Sequence, residues 1–200
     1  GDRQVVISGD GVVVDVRTAP GQVTRVAGLT VVSTGTVAVL AQGAGEGVLD
    51  DIDVEASAGF GVAVEGPTVA RLSRIRAIGR LEGRETELRY PIDTSVFPAI
   101  GVTLLGVPEA ALTDVGVTGF AGFGVVLVGT SGRWEGGEIA DNFGVGVLQD
   151  GGALEVHGVS VRGTRNCQNA SCAINNQVFG WAATGASLDT VGVSLSDNSG

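Results

Sequence analysis

Apolar and polar residues alternate in short runs along almost the whole chain, and glycine or aspartate separates one run from the next. IDVEAS from Ile52, VGVTGF from Val115, EIADN from Glu138, GVSVRG from Gly158 and VGVSLSDN from Val191 keep a period of two, and no stretch keeps the 3.6-residue period of a helix. The pattern predicts β-strands throughout. A second kind of run follows: FGVAVEG at Phe60, FGVVLVG at Phe123 and FGVGVLQDG at Phe143. AIGVTLLG puts Ile100 in the aromatic position, and Phe179–Gly180 is a weaker version. One repeat therefore holds at least two strands.

The apolar residue ahead of the first strand recurs at Leu49, Leu72, Leu112, Trp134, Leu154 and Leu188, in steps of 23, 40, 22, 20 and 34 residues. A repeat of 20 to 23 residues is too short for a four-stranded propeller blade, which takes about 40, and suits one coil of a β-solenoid. The two long steps contain insertions, at about 80–98 and about 164–178. Both fall at the same phase, after the first strand and before the second. They are predicted to leave one edge of the rod, three coils or about 14 Å apart. Such insertions mark a binding face.

These runs, with glycine at the turns, resemble the repeat of right-handed parallel β-helix proteins, the pectate-lyase-like superfamily, from about Val5 to Ser196. The resemblance implies an all-β fold, a single domain over 1–200 with about eight coils of 20–23 residues, stacked apolar ladders and three short strands per coil. The absence of methionine and the end at SLSDNSG fit a fragment of a longer chain.

Composition narrows the partners. With 44% hydrophobic residues, 17% charged and 34 glycines the chain buries a continuous core. A net charge of −10 argues against nucleic acid, and no apolar run approaches the length that inserts in a membrane. All twelve cationic residues are arginines, six of them between Arg71 and Arg89.

Candidate chemistry falls in three places. The insertions offer Arg84, Arg89, Tyr90, Asn169, Asn175, Asn176 and the nearby Trp181 as ligand contacts, with Asp114, Glu138, Asp141 and Asn142 flooring the trough between them. Cys167 and Cys172 fit a local disulfide, a metal site or two free thiols. Zinc would need two further ligands, and His157 is the only histidine. The disulfide is the expectation, and with it an extracytoplasmic setting.

On the first strand, inward Ile52, Val54, Ile75 and Val115 leave Asp51, Asp53, Arg74, Arg76 and Asp114 outward, in columns of alternating sign that fit surface ion pairs. In the resembling enzymes acids and arginines on this face process acidic polysaccharides. The polygalacturonase pattern finds here only Asp50–Asp51, His157–Gly158 behind Val156, and Arg74–Ile75–Arg76 ahead of the histidine rather than behind it. His157 shares parity with Val159 and Val161, which predicts that it points inward. A Ca²⁺ site at Asp50, Asp51 and Asp53 lacks EF-hand spacing, and no other cofactor is implied.

The leading expectation is a non-catalytic, secreted or cell-surface module that binds a polysaccharide or a cell-surface protein. A carbohydrate-active enzyme, lyase or hydrolase, working through Asp51, Asp53, Arg74, Arg76 and Asp114 is the alternative, and a structural spacer is the third. Uncapped end coils fit end-to-end self-association.

Overall fold

The computed structural model describes residues 5–80, 98–165 and 178–199. Its regular elements are β-strands in two parallel sheets. The first sheet stacks β1 (Val5–Gly9), β3 (Val23–Ser33), β5 (Glu46–Ala56), β7 (Val69–Gly79), β9 (Glu109–Thr118), β11 (Gly132–Glu135), β14 (Ala153–His157) and β17 (Ser187–Val191) in that order. Beside the later ones run β12 (Glu138–Ala140), β15 (Ser160–Arg162) and β18 (Ser194–Ser196). The second sheet stacks β2 (Val12–Thr18), β4 (Val37–Gly43), β6 (Gly59–Glu65), β8 (Pro98–Leu105), β10 (Phe123–Val128), β13 (Val145–Asp150) and β16 (Phe179–Thr184). The chain visits the two sheets alternately, so every strand pairs with its counterpart one repeat away.

Each long strand of the first sheet contains a slip. In β5 the buried residues other than Asp50 are Gly47 and Leu49, then Ile52, Val54 and Ala56, so the inward alternation jumps by one at Asp51. Pairing with β7 skips the same position, and Asp51 has φ +56°. A single left-handed residue adds one residue to the strand without breaking the stack, and divides it into two flanks. In later repeats the division is complete, and β11 and β12 are separate strands.

Between the sheets, Leu49, Leu72, Leu112 and Trp134 meet Val64, Leu104 and Leu127 in one core. Trp134 is fully buried, and its Nε1–H donates to the Gly136 carbonyl at 2.9 Å. The large apolar side chains that stay exposed, Val5, Val6, Val12 and Val23 at one end and Phe179, Leu188, Val191 and Leu195 at the other, lie where the sheet has a paired strand on one side only.

The observed register corrects the predicted repeat at two points. Trp134 pairs with Val156, not Leu154, and Phe123 pairs with Val145, not Phe143. The position shared by β6, β8, β10, β13 and β16 is the glycine after the aromatic site, which β4 and β2 replace with Ala38 and Val13. A Cβ on Gly61, Gly101, Gly124 or Gly146 would lie 2.5, 2.7, 2.5 or 2.5 Å from the carbonyl oxygen of the next strand's glycine, so a backbone contact sets the repeat and the aromatic is interchangeable.

Candidate functional site

The predicted outward columns stand as expected. Asp53 pairs in register with Arg76, and Arg76 with Gly116; Asp51, Arg74 and Asp114 fill the skipped position of three successive strands. All three have left-handed backbone, with φ +56°, +52° and +53°. Gly28, Gly136, Gly158 and Gly192 occupy the same place in other repeats, with φ +68°, +67°, +64° and +65°.

The charged residues of these columns line a surface groove of about 500 Å³ on the outer side of the second flank. Asp51, Asp53, Arg74, Arg76 and Asp114 enter it from one side, and Glu138, Asp141 and Arg162 from the other. Ile78, Gly116, Thr118 and Ala140 lie between them, with Ile75, Ala77 and Val117 beneath. Sequence reasoning assembled the charged half. It missed Arg162 and the small and apolar residues between, whose only sequence signal is an outward parity position in the same runs.

The ion pairs differ from the expected alternation. Arg74 turns sideways to Asp50, at 2.7 Å, and only reaches Asp51 at 4.0 Å. Asp50 is nearly buried and also accepts from Arg25 Nη2 at 2.6 Å and from the Ser73 hydroxyl at 3.0 Å. Burial opposes its charge, but the hydrogen bonds from Ser73 and Arg25 and the charges of Arg74 and Arg25 outweigh it and hold the carboxyl below the ordinary aspartate range. Across the groove, the Arg162 guanidinium donates to Glu138, which raises its pKa, and lies 3.8 Å from Asp141. Arg165 holds Asp141 at 2.9 Å. Among the described residues Arg76 and Asp114 make no ion pair, and both are exposed. One guanidinium and one carboxylate therefore face solvent within the groove.

Three expectations need correction. Asn142 is fully buried, not on the floor: its Oδ1 accepts from the Phe120 N–H at 2.9 Å and its Nδ2 donates to the Val117 carbonyl at 3.3 Å. The cause is a second left-handed slip at Asp141, φ +54°, which turns the next side chain inward. Asn198 repeats the arrangement behind Asp197, donating to Val161 and accepting from Thr164. Trp181 is half-buried on the inner side of β16, its ring 5.7 Å from that of Trp134, because the aromatic continues the core ladder. His157 points outward and bonds Glu155 at 2.8 Å, since the slip at Gly158 reverses the parity on which its inward reading rested. Among the described residues no three His, Cys, Asp or Glu side chains cluster as a metal site would, and Asp50 is taken by two arginines and a serine.

Arg84, Arg89, Tyr90, Asn169, Asn175, Asn176, Cys167 and Cys172 lie outside the described residues. The residues that flank both insertions are described. The first begins after Arg80, which follows β7, and the second after Arg165, which follows β15. Both departures come just beyond the second flank, at the margin of the groove. Comparison with protein families, with curated proteins and with solved structures finds no match to this chain.

Proposed function

We propose that the chain winds as a right-handed parallel β-helix and, in an extracytoplasmic setting, binds a linear, hydroxyl-rich glycan in this groove without transforming it. One observation carries the reading: the groove runs across five successive repeats, from Asp51 to Arg162, at one position around the stack. Four strand spacings make it about 19 Å long. That is the shape of an extended polymer site, and the strand spacing is close to the length of one pyranose unit in an extended chain. Each repeat would then meet one sugar.

The lining suits sugars chemically. Carboxylates accept hydroxyl protons, arginines donate to ring and hydroxyl oxygens, and the Ile78–Thr118–Ala140 strip offers an apolar surface to a ring face. Five carboxylates, from Asp51, Asp53, Asp114, Glu138 and Asp141, face three guanidinium groups, from Arg74, Arg76 and Arg162. This excess disfavours an acidic polymer and favours a neutral one. Most of the charges are already paired, which supports binding over catalysis.

A glycan-array screen of the chain beside Arg76→Ala, with uronate polymers included, tests the proposal. The expected result is binding to neutral linear glycans that the variant weakens about tenfold or more. A turnover assay on the bound polymer separates the enzymatic alternative. Binding to no glycan, or equal binding by the variant, would overturn the assignment.

A further inference from the structure

We propose that Gly116 sets which sugars the groove accepts, its missing side chain forming a notch that receives the exocyclic C6 group of a hexopyranose beside Arg76. This rests on the glycan reading above.

Most strand glycines have a structural reason; of the described ones that do not, Gly9 ends β1 and Gly47 is buried in β5, and neither lines the groove. Gly61 and Gly124 sit where a Cβ would meet a carbonyl oxygen at 2.5 Å, and the corner glycines have left-handed backbone. Gly116 has neither. It lies in mid-strand without a left-handed φ, and a Cβ built on it would meet nothing nearer than the Ile75 carbonyl oxygen at 3.7 Å and that of Glu138 at 3.9 Å. Both are ordinary van der Waals contacts, so the backbone tolerates any side chain. Glycine inside a strand weakens it and leaves nothing to pack.

Its position supplies the missing reason. Val115 and Val117 point into the core, so the place of the absent side chain is outward, and Gly116 lines the groove. It stands in register with Arg76 on one side, and beside Glu138, which precedes the Ile139–Val117 pair, on the other. The long side chains of Arg76 and Glu138 flank it, and the row is open between them. Glu138 is committed to Arg162, whereas Arg76 makes no ion pair among the described residues. The notch thus has a free donor on one wall, suited to an oxygen one bond removed from a sugar ring. A hexopyranose carries such an oxygen on C6; a xylopyranose is the same ring without it.

The test is the affinity of the wild type, Gly116→Ala and Gly116→Val for cellohexaose, mannohexaose and xylohexaose, with thermal unfolding in parallel. Both variants should unfold at the wild-type temperature or above. Hexose affinity should fall about threefold with alanine and more than about tenfold with valine, while xylohexaose affinity changes by less than about twofold. Equal losses on hexose and pentose would overturn the C6 assignment. Unchanged hexose binding by both variants would overturn the role of Gly116 and leave the groove standing. A wild type that binds none of the three sugars would overturn both readings. Should valine lower the unfolding temperature, the alanine variant carries the comparison alone.

Discussion

One corner of the first sheet is built in two ways along the same molecule. In the outer repeats the left-handed residue is Gly28, Gly136, Gly158 or Gly192; in the three central repeats it is Asp51, Arg74 or Asp114. Glycine adopts that backbone freely, whereas an L residue pays roughly 1–2 kcal/mol, less for aspartate and more for a long side chain such as arginine. Stability alone would place glycine in every repeat. The departures fall on three of the five repeats that line the groove, with glycine kept in the other two, and strain is expected there if the side chains serve a ligand. The same contrast separates Gly124, which the backbone requires, from Gly116, which it does not.

The largest expected effect breaks the required class. Gly124→Ala forces a Cβ to within 2.5 Å of the Gly146 carbonyl oxygen and of Ile139 Cγ2, and should cost about 3 kcal/mol in urea unfolding. A loss below about 1 kcal/mol would remove the distinction between the two glycine classes.

Next comes the anchor of the central corner. Asp50→Ala removes the acceptor shared by Arg25, Arg74 and Ser73 and should cost about 2 kcal/mol at neutral pH. Because the Asp50 pKa is lower folded than unfolded, its contribution is complete above the ordinary aspartate range and disappears as pH falls through and below about 4. Wild type and variant should therefore converge in stability in acid; a constant difference across pH would argue against the charged network.

A smaller change transplants the central solution to an outer repeat. Gly158 has open space around it, so Gly158→Asp should cost only the backbone term, about 1 kcal/mol by thermal unfolding. No loss would mean that the corner is unstrained. Smallest of all, Arg74→Gly relieves the corner but removes the Asp50 ion pair, so the net change should stay within about 0.5 kcal/mol while glycan binding weakens.

The sequence made the strands and the charged half of the groove legible because outward parity in IDVEA, SRIRA and TDVGV survives folding unchanged on the far side of each slip. Parity carried across a slip misleads. Asn142 and His157 were both misassigned because Asp141 and Gly158 each add one left-handed residue, which a period-two pattern does not register. The aromatic in the FGV runs drew attention away from the glycine behind it, and Phe143 lies two residues out of register for that reason. Gly116 was hidden for a different cause. Among 34 glycines, only the neighbouring strands reveal which ones the backbone needs.

The most direct test of the account is Asp114→Gly, measured for thermal unfolding and for binding to linear neutral hexasaccharides. Asp114 makes no ion pair among the described residues and has left-handed backbone, so its replacement removes strain and one carboxylate from the groove. The expected result is a variant more stable by about 1 kcal/mol that binds glycan at least about tenfold more weakly. A variant that gains stability and binds as the wild type does would contradict the claim that the central corner gives up stability for a ligand.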